Sequence, residues 1–224
     1  FGIMHMINLA HGSLYMVGAY VAATVTMASG SFALGVAAAM VAAGITGMVI
    51  ELIAFRRLYD RDHLDQVLAT FGIILTFNEL TKIIWGAQAL FLSTPKVLSG
   101  TLEFIPGAPY PAYRLFIILI GLVVGLGLRH LILNTRLGML IRAGATHREM
   151  VGAMGVNIDR LFTIVFGIGA MLAGLAGAMA GPMLAIEVGM GEKILILTFV
   201  VIIIGGIGSV RGALVGALLV GLVD

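Results

Sequence analysis

The sequence predicts an all-α, polytopic integral membrane protein with about six or seven membrane segments, since crossing a bilayer takes roughly 20 apolar residues in helical form. Three observations carry this reading. Of the 224 residues, 60% are hydrophobic and 11% charged, and the mean hydropathy is +1.12, which leaves too little polar surface to cover a soluble globule. The apolar runs are continuous rather than alternating, which selects helices over barrel strands. Lys and Arg fall mostly between the runs and are unequally shared between the two sides.

In order, the apolar windows are 9–29, 32–55, 67–86, 113–133, 161–183 and 194–208. The stretch from Gly212 to Val223 is shorter, and is either re-entrant or the start of a further span. The whole of 1–224 reads as one transmembrane domain, with 142–160 as a cytosolic loop inside it. Phe1 opens inside an apolar stretch and Asp224 follows one, so both ends are expected to be cut. Placing the 56–66 loop inside puts Arg56, Arg57, Arg61, Arg129, Arg136, Arg142, Arg148, Arg160 and Arg211 inside, against Lys96, Arg114 and Lys193 outside. That excess fixes the preferred orientation.

Several function classes are excluded early. With no cysteine there is neither a disulfide framework nor a thiolate nucleophile or metal site. The net charge of +2 comes from dispersed basic residues, not a patch, so nucleic acid is not an expected partner. His5 and His11 are six apart and face different ways, so they make no helical metal pair. No metal or cofactor is expected in this chain.

The first span carries a polar and small stripe of Asn8, His11, Gly12, Tyr15 and Gly18 at helical spacing. Such a stripe faces protein or water, either as an interhelical hydrogen-bond seam or as a pore lining. The third span ends in Thr76, Asn78, Glu79, Thr81 and Lys82, where Glu79 and Lys82 form an i, i+3 pair. This group is either an interfacial ion pair or an outer vestibule with Thr76 and Asn78 as hydrogen-bond partners. The outer segment 87–112 holds four of the five prolines, Pro95, Pro106, Pro109 and Pro111, so it is not a continuous helix. It serves as a connector or as a docking surface.

In the inner loop, Thr146 precedes Glu149 by three, the spacing of a capping box, and Gly155 suits the left-handed residue that ends a helix. A helix is expected over about 147–154, with Met150, Val151 and Met154 on one face. Two turns are not stable alone, so the element packs on its own protein or in a groove of a cytosolic partner. The next span lines up Ala170, Gly174 and Ala178, with Ala173, Gly177 and Gly181 beside them, a seam for close backbone approach. Pro182 disturbs its outer end. Gly205, Gly206, Gly208 and Gly212 interrupt the last run at membrane depth, as happens where backbone is buried or lines a cavity. No GK[ST] phosphate loop and no nucleophile-base-carboxylate set is present.

Three blocks in this order, INLAHGSLYMVGAY, RAGATHREMVGAMGVNIDR leading into AGLAGAMAGPM, and IIIGGIGSVRGALVGALLVG, resemble the branched-chain amino-acid permease subunits of ABC importers over essentially the whole chain. The resemblance implies a second permease subunit, two cytosolic ATPase subunits that carry the ATP chemistry, an extracytoplasmic solute-binding protein, and a lipid-embedded location in a prokaryotic inner membrane. The chain itself is then a transport subunit, not an enzyme. Thr146, Arg148, Glu149, Met150 and Gly155 become the coupling element, although Glu149-Met150-Val151 stands where the family usually has Glu-Ala-Ala. Asn8, His11, Gly12, Tyr15, Thr76 and Asn78 become the candidate path. A related permease for urea, short amides or another solute, and an ATP-independent facilitator, are the alternatives.

Overall fold

A computed structural model describes residues 8–59, 61–105, 108–206 and 209–223. Helix α1 (His11–Ser29) ends at Gly30, whose φ of 69° lets its N–H reach the Thr26 carbonyl. Ser31 then caps α2 (Phe32–Ile50), accepting from the Leu34 N–H. The same rod continues through a π-helical turn, Glu51–Phe55, into α3 (Arg56–Leu58). There follow α4 (His63–Trp85), α5 (Ala112–Asn134), α6 (Arg136–Thr146), α7 (Arg148–Ala153), α8 (Ile158–Ala180), α9 (Met190–Gly205) and α10 (Val210–Val223). Four of these rods, Phe32–Leu58, Leu64–Trp85, Ala112–Asn134 and Ile158–Ala180, are long and apolar enough to cross a membrane. The predicted windows 9–29, 194–208 and 212–223 overlap α1, α9 and α10, helices of 19, 16 and 14 residues.

α1, α2 and α8 pack as the centre of the molecule. Small residues make that possible. A Cβ on Gly18 of α1 would strike the Gly174 backbone of α8, and one on Gly174 would come within 2.5 Å of Ala43 Cβ of α2. Ala39, Ala43, Ala170 and Ala178 are wholly buried there. The seam expected from Ala170, Gly174 and Ala178 is thus real, and it gains van der Waals contact where lipid offers no hydrophobic drive between helices.

The end of the bundle that carries Arg56 and Arg160 brings Tyr59 onto Phe162, ring centroids 5.7 Å apart. At the other end Trp85 donates to Thr24 Oγ1 at 2.8 Å, and the Tyr113 hydroxyl donates to the Met179 carbonyl at 2.7 Å. Helix α8 stops at Ala180, before Pro182, and its following loop pairs Ile186 with Leu90 in an antiparallel bridge. The proline-rich segment 87–112 adds a hairpin of β1 (Thr101–Ile105) and β2 (Ala108–Pro111). With only two strands each has a free edge, so Pro109 and Pro111 cost little by lacking an N–H. Pro106 lies outside the described residues. Gly205 ends α9, and Gly206 has φ 84°. Gly212 continues as helix within α10, where its lack of a side chain admits the Gly205 carbonyl, while Gly208 is outside the described residues.

The 142–160 loop differs from expectation in its caps. Residues 136–146 are already helical, so Thr146 closes α6 instead of capping the next helix; its hydroxyl donates back to the Arg142 carbonyl at 3.0 Å. The N-cap of α7 is His147, which makes no side-chain cap bond. Thr146 keeps helical backbone as the last residue of α6, and an N-cap residue needs non-helical φ/ψ, so the capping box does not form there. Gly155 does adopt φ 85°, and its N–H and that of Val156 return to Gly152 and Val151. Val151 faces inward and is buried, whereas Met150 and Met154 are exposed, so the three do not share a face as expected.

A lateral cavity and a buried carboxylate as candidate functional sites

Tyr15 follows His11 by one helical turn, and α1 presents both, with Gly12, to a cavity of about 640 Å³. Ile117, Ile120 and Val124 of α5, Leu172 and Ala176 of α8, and Ile194, Leu195 and Thr198 of α9 complete its walls. The lining, which also includes Met179 and Met183, is apolar apart from the His11 ring, the Tyr15 phenol and the Thr198 hydroxyl. Such a volume, apolar with a few polar groups, suits a small ligand.

Hydrogen bonding decides how His11 is presented. Asn8 is buried, and its Oδ1 accepts from the Ala10 N–H at 2.9 Å. Its Nδ2 therefore points at His11 Nδ1, 2.8 Å away. In the neutral ring Nδ1 then accepts, and the proton sits on Nε2. The far edge of the ring is accommodated by Gly169, where a Cβ would lie 3.2 Å from Nε2. Phe166 packs edge-on to the imidazole with centroids 5.2 Å apart.

The remaining path candidates lie elsewhere. Asn78 does not line the cavity; its Nδ2 donates to Glu192 Oε1 at 2.6 Å, in a narrow crevice shared with Gly12, Ser13 and Gly191. Thr76 is exposed on α4 and donates to the Gly72 carbonyl at 2.9 Å, away from both sites. The Glu79–Lys82 pair forms at 2.6 Å with both side chains exposed. Of the coupling candidates, Met150 projects outward from α7 and Gly155 terminates it. The side chains of Arg148 and Glu149 are outside the described part of the structure. Among the described residues no group of three or more His, Cys, Asp or Glu is arranged to hold a metal.

Sequence reading missed the most buried charge among the described residues. Glu51 opens the π-helical turn and is wholly buried. Thr163 of α8 donates to its Oε2 at 2.6 Å, the Tyr59 hydroxyl reaches Oε1 at 3.4 Å, and Arg56 Nη2 lies 3.9 Å from Oε2. Arg56 Nη2 also donates to Thr163 Oγ1 at 3.2 Å, so that hydroxyl bridges carboxylate and guanidinium. The available signal was an acid inside the apolar 32–55 window, which costs several kcal/mol unless partnered. Its partner, more than a hundred positions away, left no trace in local pattern. Thr198, an ordinary residue within an apolar run, and Glu192, just ahead of that run, were likewise missed.

The chain matches, over residues 1–224, the family described as branched-chain amino acid transport system / permease component. It is similar to the high-affinity branched-chain amino acid transport system permease protein BraD of Pseudomonas aeruginosa, 30% identical over all of this chain and 77% of the relative. It is 28% identical to the corresponding LivH protein of Escherichia coli K12, with the same coverage. A probable LivH permease of Methanocaldococcus jannaschii is 28% identical over 96% of this chain and 69% of its own length. No solved structure is significantly similar. From the full-length match and the helical bundle around a small-residue seam, the chain belongs to the branched-chain amino acid transport permease family.

Proposed function

We propose that the chain is the membrane-spanning permease subunit of an ATP-driven importer that carries branched-chain amino acids across a prokaryotic inner membrane. The observation that carries the reading is the cavity between α1, α5, α8 and α9. Its aliphatic walls offer a Leu, Ile or Val side chain the apolar surroundings it prefers, with about 25 cal/mol gained per Å² of apolar surface removed from water. His11 Nε2–H, the Tyr15 hydroxyl and Thr198 are the polar groups at hand for the charged end of such a solute. Urea or a short amide has little apolar surface to gain there, which favours the branched-chain reading over the other cargoes.

In this reading the four long rods are joined as spans by α1, α9 and α10, giving six or seven segments. A second permease completes the pathway, a solute-binding protein delivers cargo at the hairpin side, and two ATPases dock at the side of α7. Support for the last point is the outward pair Met150 and Met154 on a helix too short to stand alone. Gly155 makes the turn that joins this element to α8.

The test is reconstitution in liposomes with candidate ATPases and binding protein. Leucine-loaded binding protein is expected to stimulate ATP hydrolysis and leucine uptake together. Uptake of leucine by this chain alone, without ATP, would reject the coupled-importer reading in favour of a facilitator.

A further inference from the structure

The Glu51 cluster has properties that plain structural support does not require. A buried ion pair is a poor source of stability, because desolvation offsets most of the attraction, and apolar substitutes often do as well. Here the carboxylate also sits at the first residue of a π-helical turn, an irregularity concentrated at functional places in helices. The turn carries both Glu51 and Phe55 into full burial, and Phe55 packs on Phe166 of α8 with centroids 5.1 Å apart. One polar tie and one aromatic tie thus join the same turn of α2 to successive turns of α8.

The position of the partner matters. Thr163 stands in the second turn of α8, whose first turn is capped by Asn157, its Oδ1 accepting from the Arg160 N–H at 2.9 Å. Residues 154–157 separate that helix from α7. A displacement of α7 therefore reaches Thr163 through less than two helical turns. The Thr163 hydroxyl has a second acceptor within reach, the Asp159 carbonyl at 2.9 Å. It has one proton, so donation to Glu51 and donation to Asp159 exclude each other. The Glu51 oxygen is the nearer of the two acceptors, at 2.6 Å against 2.9 Å. Arg56 Nε is buried with no hydrogen-bond partner among the described residues, so the guanidinium is not fully satisfied in this arrangement either.

We propose that Glu51 and Thr163 form a two-position latch that ties the start of α8 to the π turn of α2, so that movement of α7 is passed to the central α1–α2–α8 packing. Both are positioning residues: neither lines the cavity. The proposal rests on the permease reading above and names the contact through which the coupling loop would act.

The experiment uses the full complex with ATPases and binding protein in liposomes, comparing T163V, T163S, E51Q and the E51Q/T163V double variant. Valine keeps threonine's shape but not its hydroxyl, which leaves Glu51 to the Tyr59 and Arg56 contacts, so T163V is expected to assemble with a lowered unfolding midpoint and unchanged basal ATP hydrolysis. Leucine transported per ATP hydrolysed should fall roughly tenfold, the scale of losing one hydrogen bond to a charged group. T163S, which keeps the hydroxyl, should restore it, and the double variant should be no worse than either single one. Full coupling in T163V, or a double variant whose losses multiply, would overturn the latch.

Hydrogen exchange on the purified chain separates this outcome from failure of the permease reading. The T163V variant should raise exchange together in 53–59 and 160–164 whether or not any ATPase couples to the chain. Unchanged exchange in either segment would reject the latch, whereas absent ATP stimulation in the parent complex with linked exchange intact would reject the permease reading alone.

Discussion

Gly174 meets two neighbours at once, Gly18 on α1 and Ala43 on α2, and has no room for even a methyl group. Gly174→Val should lower the thermal midpoint in detergent by the several degrees that about 1–3 kcal/mol of overpacking produces in a domain of this size. Gly127→Ala is the control, because nothing lies within 4 Å of a Cβ there, and it should leave the midpoint unchanged or slightly raised. An equal loss in both variants would show that the seam is not specific. At this scale the small-residue seam was legible, since spacing of four on one helix already says that something approaches closely. The stripe of Asn8, His11, Gly12 and Tyr15 was legible too, but whether it was a seam or a lining was not. In space Asn8 fixes His11 through a hydrogen bond, and His11, Gly12 and Tyr15 face the cavity. Thr76 has the same chemistry in sequence and no such neighbours in space.

Among the elements, α7 shows how little separates one cap from another. Thr146 and Glu149 have capping-box spacing, yet the helix boundary falls one residue later because α6 extends through Thr146. A spacing rule cannot tell that the preceding residues are already helical. Gly155 was correctly read because a positive φ is a property of one residue's backbone. Gly155→Val would force a β-branched side chain into the left-handed region, at a cost of about 1–2 kcal/mol. Because that strain falls at the exit of a short, exposed helix, the expected result is reduced ATPase co-purification and reduced stimulated hydrolysis with a nearly unchanged unfolding midpoint. Retention of both activities would remove Gly155 from the coupling element. The hairpin of β1 and β2 was readable only as a break in helix, since prolines forbid continuity without choosing what replaces it.

For the whole molecule, the charge distribution and the packing agree. Arg56 and Arg57 lie at one end of the bundle with the start of α8, and Trp85 and Tyr113 lie at the other. Because the chain has no cysteine, single-cysteine variants report sidedness cleanly. Both Arg57 and Val97 are exposed. In intact cells Val97→Cys should react with a membrane-impermeant maleimide from outside, and Arg57→Cys only after the membrane is opened. The reverse pattern would invert the orientation and move α7 away from any cytosolic partner.

The sequence by itself determined that the chain is helical and membrane-spanning, where its apolar rods run, and that the small residues of α8 form a packing seam. These follow from local composition and period, which act over a few turns of one helix. The tertiary structure decided the rest. The cavity exists because α5 stands across from α1, α8 and α9, and Glu51 has a partner because α2 crosses α8 at Thr163. Both are consequences of which helix faces meet, and in a membrane, where every face is apolar, hydrophobic pattern alone does not choose between them.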